Sequence, residues 1–255
     1  MFKTLLTISL LSTTIYAKEI NKEQCQKLGN NYIFSGEECI NYAKFDGENS
    51  NKLIILIHGA WKEGANTLAV YKPYAENINM ESDITTIAIA LPGYSGSSTN
   101  HLTALTHKKG GALKLATSKH YLNFLSSLLS DLKTKFKAKE LIVSAHSAGA
   151  AATASLLGYK PNLINKAQLA GGFYKLKYKD SITANKVINQ IPKETQINIV
   201  YGTKDTISKS VNSKEFYKLA KSKGLKVKLI KIEENHTNLD RSDLATKELL
   251  NLVKN

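Results

Sequence analysis

The amino-acid sequence predicts an α/β fold, with a mostly parallel central sheet and helices on both faces. Three observations predict it. The apolar runs after residue 50 are rich in Val, Ile and Leu and do not alternate, which is how strands buried on both faces read. Helical stretches separate these runs one by one, so each strand follows the last through a right-handed crossover. The chain has 255 residues, 42% of them hydrophobic, enough for one large core, and no repeat divides it.

In order, strands are expected over 31–34, 40–45, 52–57, 83–90, 140–144, 166–169, 197–201 and 226–232. Helical patterns occupy 65–78, 120–136, 147–157, 209–223 and 242–253. Pro73 is expected to bend or split the first, because proline removes an intrahelical hydrogen bond. The second carries Leu122, Phe124, Leu125, Leu128, Leu129 and Leu132 on one stripe. The stretch 175–196 is short, so any lid inserted there is small.

The first 17 residues, MFKTLLTISLLSTTIYA, have a positive start at Lys3, an apolar stretch too short to span a bilayer and a small residue, Ala17, at the end. That is the pattern of an export signal, although an N-terminal strand or anchor helix has similar composition. Residues 18–49 then form an N-terminal segment and 50–255 the main domain. Cys25 and Cys39 are the only cysteines. They lack histidines at zinc-ligand spacing, and in an oxidising compartment they would pair. Closing that loop is worth about 3 kcal/mol in the chain-entropy model. The expected location is periplasmic or secreted, with no stable membrane anchor.

The formal net charge is +14. Its lysines are scattered from end to end and accompany no nucleic-acid-binding motif, so a basic surface is expected and a nucleic-acid partner is not. No phosphate-binding loop, HExxH or dinucleotide fingerprint is present, so neither a cofactor nor a metal is expected.

The stretch KELIVSAHSAGAAATASLLG, residues 139–158, holds the chemistry. A bulky strand ends in small residues, and a helix of Ala, Ser and Gly begins at Ser147. A serine presented at such a turn needs small neighbours two positions away on either side, here Ala145 and Gly149. The helix behind it needs small side chains to lie close to the sheet. The turn also leaves the first N–H groups of the helix aimed at the ligand.

This stretch resembles the nucleophile elbow Gly-x-Ser-x-Gly of the α/β-hydrolase superfamily, with Ala145 in place of the first glycine. Three further matches follow the order of that family. His58-Gly59-Ala60-Trp61 ends an early strand, where the resemblance implies an oxyanion-hole N–H on Ala60, or on Trp61 as second choice. The other donor is the N–H of Ala148. The loop 90-ALPGYSGSS-98 resembles the family's Gly/Ser loop with one extra residue. The stretch 200-VYGTKD-205 places Asp205 where the family carries its triad acid. His236 is the only histidine after Asp205.

The resemblance thus implies a Ser147–Asp205–His236 triad that cleaves small-molecule or polymeric esters. A peptidase or amidase on the same fold, or a non-catalytic envelope-binding protein, stays open at this level. Trp61, Tyr94, Phe173 and Tyr174 fall in loops at strand ends and are expected to line the substrate pocket. Substrate identity and oligomeric state are not readable from the chain.

Overall fold

A computed structural model of the protein describes residues 19–106 and 111–254. The export-signal pattern lies outside the described residues. Eight strands form one sheet in the order β1-β2-β4-β3-β5-β6-β7-β8. They are β1 (Tyr32–Ser35), β2 (Glu38–Phe45), β3 (Asn49–Ile57), β4 (Ile84–Ile89), β5 (Glu140–His146), β6 (Lys166–Ala170), β7 (Gln196–Gly202) and β8 (Lys226–Ile232). Strands β3 to β8 run parallel, and the β1–β2 hairpin adds to the free side of β4 in antiparallel register.

The helices among the described residues are α1 (Lys22–Lys27), α2 (Thr67–Ser82), α3 (Gly111–Ala116), α4 (Lys119–Lys135), α5 (Ser147–Tyr159), α6 (Ala184–Val187), α7 (Ser210–Ser222) and α8 (Asp243–Lys254). Side-chain alternation on β3 separates two layers. Leu53, Ile55 and Ile57 join the core beneath α4, α5 and α7. Ile54 and Leu56 join Tyr71, Tyr74 and Ile78 of α2 and Leu249 and Val253 of α8 on the opposite face. The stripe expected on α4 is buried as a unit, and Ser118 caps that helix by accepting the N–H of Tyr121. β8 shows the other solution for an edge. Its exposed lysines, Lys226 and Lys231, deter pairing with a second sheet.

Pro73 does not split its helix: α2 is continuous from Thr67 to Ser82. Packing of Tyr71, Tyr74, Ala75 and Ile78 against the sheet outweighs the missing hydrogen bond. The short helices α1, α3 and α6 have no counterpart in the sequence reading, because too few residues carry their periodicity. Between β6 and β7 the chain makes only α6 and a single 3-10 turn, Ile188–Gln190, and builds no separate lid domain.

Residues 19–49 are not an appendage. Cys25 and Cys39 are disulfide-bonded, with Cα atoms 5.5 Å apart. Next to the bridge, Glu38 is fully buried. Its carboxylate accepts the N–H groups of Asn100, His101 and Leu102 at 2.7–2.8 Å and the hydroxyl of Ser98. A buried carboxylate survives only with such a full set of donors. The bond set ties the hairpin to the loop that follows β4. No helix of the described residues is long and apolar enough to cross a membrane.

Candidate active site

The site lies at the carboxyl ends of the parallel strands, where loops rather than ladders set the geometry. Ser147 begins α5 directly after β5 and has φ +53°, a left-handed backbone that costs a non-glycine residue about 1–2 kcal/mol. The surrounding packing holds that strain. Ala145 is paired between Ile57 of β3 and Leu169 of β6. A Cβ on Gly149 would stand 2.4 Å from the carbonyl oxygen of His58, and one on Gly59 would stand 2.7 Å from Cβ of Ser147. Glycine at both positions lets the end of β3 and the start of α5 press together. Every residue of α5 from Ser147 to Gly158 is buried, as its small side chains allow.

Asp205 follows β7, and its carboxylate is fully covered. Oδ1 accepts the N–H groups of Ile207 (2.9 Å) and Ser208 (2.8 Å). Oδ2 lies 2.7 Å from Nδ1 of His236. Burial alone would raise the carboxyl pKa. The hydrogen bond and charge of His236, followed by the two N–H groups, outweigh it and hold the group below the usual aspartate value. An ionised Asp205 makes Nδ1 of His236 the donor. The other ring nitrogen, Nε2, then accepts the hydroxyl proton of Ser147 across 2.9 Å. The structure therefore brings Ser147, His236 and Asp205 into one hydrogen-bonded line, all three buried to under 9% exposure.

Ala60 lies outside helix and strand, and among the described residues its N–H bonds no backbone carbonyl; Ala148 lies in the first turn of α5, where an N–H has no intrahelical acceptor. The N–H of Trp61 is engaged: it donates to the carbonyl of Leu105 (3.3 Å) and to the hydroxyl of Tyr94 (3.2 Å). Trp61 is thereby removed as an alternative oxyanion donor, which leaves Ala60.

A groove of about 260 Å³ opens on Ser147 and is lined by Ala60, Trp61, Lys62, His146, Ile207, His236 and Thr237. Of the four aromatics expected there, only Trp61 lines it. Tyr94 is fully buried, packs edge-on against His58 at 4.9 Å, and bonds both Trp61 and the carbonyl of Leu105. Tyr174 is buried and stacks on Phe216 of α7 at 4.2 Å. Phe173 is half-buried beside it and outside the groove. The last two belong to the β6–β7 connection, in which Tyr174 packs on α7 while α6 packs on α5. Ile207, 54% exposed, supplies the apolar wall that sequence reading missed. Its only signal was its place two residues after Asp205.

Two buried histidines brace the site. His58 donates from Nδ1 to the carbonyl of Gly59 (2.7 Å) and accepts the N–H of Leu91 at Nε2 (3.1 Å). Burial pushes its pKa down to about 4, so it stays neutral and can serve both partners. His146, also held neutral mainly by burial, bonds the carbonyl of His236 through Nε2 at 2.8 Å.

No family model matches the chain, and no curated protein matches it in sequence. Its fold does match solved structures. The esterase Pf2001 of Pyrococcus furiosus superposes with a TM-score of 0.66 at 15% identity, over 90% of this chain and 92% of that one. Est1E from Butyrivibrio proteoclasticus, solved with ferulic acid bound, gives 0.62 at 16% identity, over 88% and 99%. A carboxylesterase of Bacillus cereus gives 0.56 at 19% identity, over 83% and 92%. The chain has the α/β-hydrolase fold.

Proposed function

We propose that the protein is an exported serine hydrolase that cleaves carboxylic esters through an acyl-enzyme on Ser147. One observation carries the reading: a serine hydroxyl, an imidazole and a buried carboxylate stand in series beside a groove, at the first turn of α5. Serine alone is too weak an acid to react near neutral pH, so a hydrogen-bonded base is the essential part.

In this reading His236 Nε2 takes the Ser147 proton as Oγ bonds to the ester carbonyl carbon. The carbonyl oxygen becomes an oxyanion and is held by the N–H groups of Ala60 and Ala148. Loss of one such donor costs ~10²–10³ in rate. The imidazolium, steadied by Asp205, gives its proton to the departing alkoxide, and the alcohol leaves. Water then gives a proton to His236 and attacks the acyl carbon. Ser147 regains its proton as the acid departs.

Trp61 and Ile207 form the apolar walls for the substrate. The ammonium of Lys62, unpaired among the described residues, is the one cation on the rim. The N-terminal pattern and the Cys25–Cys39 bridge support export.

The test is hydrolysis of p-nitrophenyl esters together with labelling by a fluorophosphonate probe. Wild-type protein is expected to turn over and to label at Ser147, and Ser147→Ala to do neither while staying folded. Equal labelling of the folded variant would remove Ser147 as nucleophile. Export is checked by the amino terminus of the protein made in its own cell, expected at residue 18.

A further inference from the structure

His236 stands on the connection between β8 and α8, and side chains from other elements hold part of that connection. Up to Glu234 its carbonyls still meet backbone donors, with Lys204 N–H bonding Glu234 at 3.1 Å. Beyond that point one backbone bond remains, Arg241 N–H to the Asn238 carbonyl at 3.2 Å, and side chains hold three other carbonyls. The carbonyl of His236 accepts from His146 Nε2 (2.8 Å), that of Thr237 from the Arg241 guanidinium (2.8 Å), and that of Asp240 from the hydroxyl of Tyr74 (3.0 Å).

The centre of this set is the Asp240 carboxylate, whose side chain is 4% exposed. It accepts the hydroxyl of Tyr71 at 2.6 Å and Nη1 of Arg241 at 3.1 and 3.3 Å. The Arg241 guanidinium also lies over the Tyr71 ring, 5.0 Å from its centroid. Tyr71 and Tyr74 both belong to α2. One carboxylate thus fastens the turn after His236 to a long helix packed on the opposite face of the sheet from α5.

Stability does not account for such a cluster. Burying an ion pair costs several kcal/mol per ion, and well-packed apolar side chains often serve as well or better. Geometry does account for it. The relay needs the imidazole within a fraction of an ångström of its working position, and a 1 Å error can cost ~10²-fold in rate.

We propose that Asp240, acting with Tyr71 and Arg241, is a positioning residue that holds the His236 imidazole in line between Asp205 and Ser147. The clasp acts through the loop backbone and touches neither substrate nor reacting atoms. The proposal rests on the hydrolase reading above.

The experiment compares wild type, Asp240→Asn and Tyr71→Phe by kcat and KM on a p-nitrophenyl ester, by the rate constant of fluorophosphonate labelling, and by melting temperature. Cys25→Ser/Cys39→Ser serves as a variant destabilised elsewhere. Asp240→Asn keeps the shape and removes the charge. It is expected to lower kcat and the labelling rate together by roughly 10- to 100-fold with KM within about twofold. Tyr71→Phe is expected to lose roughly 3- to 10-fold in the same pattern. The cysteine variant should melt lower yet keep kcat.

A rise in KM with kcat unchanged, or wild-type labelling rates in the Asp240 variant, would overturn the clasp and leave the hydrolase reading standing. Should Asp240→Asn fail to fold, Tyr71→Phe decides the matter, because it removes one hydroxyl and no charge. A wild-type protein that neither labels nor turns over would sink the hydrolase reading itself, and the clasp with it.

Discussion

The two halves of the relay are held by different physics. Ser147 is positioned by backbone: a central strand, a left-handed residue and a helix of small side chains leave it one place to stand. His236 is positioned by side chains reaching in from α2 and β5 to catch carbonyls of a loop that makes few backbone bonds of its own. The first arrangement is rigid because close packing forbids alternatives. The second is rigid only while each polar partner is present and correctly charged. The elbow should therefore answer to volume, and the histidine loop to charge and protonation.

The sharpest test of that contrast is at the nucleophile. Ser147→Ala is expected to lower kcat by ~10⁴-fold or more, with no loss of melting temperature, since it removes only an oxygen. Gly149→Ala comes next. Its new methyl meets the His58 carbonyl, so α5 must lift from β3. Stability should fall by about 1–3 kcal/mol and activity with it, because the N–H of Ala148 moves too. A Gly149→Ala protein as stable and as active as wild type would break the claim that packing sets the elbow.

Acid should act through the buried histidines instead. His58 has a folded pKa of about 4 against 6.5 when unfolded. The unfolded chain therefore binds a proton that the folded chain refuses between those values. Stability is full above about pH 6.5 and falls as the pH drops toward 4, by on the order of 3 kcal/mol. His146 is shifted the same way. Asp205 adds a further loss below the usual aspartate range, as its lowered pKa is reached from above. Urea unfolding at a series of pH values measures the slope, and a flat profile between pH 7 and 4 would contradict it. The smallest expected effect on catalysis is at the rim. Lys62→Gln should change kcat/KM less than about threefold for a neutral ester and more for one carrying a carboxylate, in line with the modest worth of an exposed charge. Steady-state kinetics on the two esters separates the cases.

The same contrast explains what was legible in the sequence. All eight strands and the five long helices announce themselves through apolar runs and periodicity, to within a few residues at their ends. The Ser147 turn is equally plain, because close packing writes itself as residue size: Ala145, Gly149 and a run of alanines. Asp205 and His236 were singled out by the resemblance and its order of motifs, and the structure sets both within hydrogen-bond reach of one another. The clasp is different. Tyr71, Tyr74, Asp240 and Arg241 come from two segments far apart, and nothing in either one says that they meet. Tyr94 and Tyr174 misled for a related reason. An aromatic in a loop at a strand end faces either the ligand or the core, and only the path of the whole loop decides. For Tyr94 the carbonyl of Leu105 and the Trp61 backbone decided it.

The β1–β2 hairpin has a practical consequence for anyone expressing the protein. β2 covers the outer side of β4, whose every residue is buried, and Glu38 supplies the donor-hungry anchor of the loop behind it. A shortened chain beginning near residue 50 would leave β4 as a bare, apolar border ready to pair with another molecule. Recombinant forms should begin no later than residue 19, before Ile20 bonds Asn100.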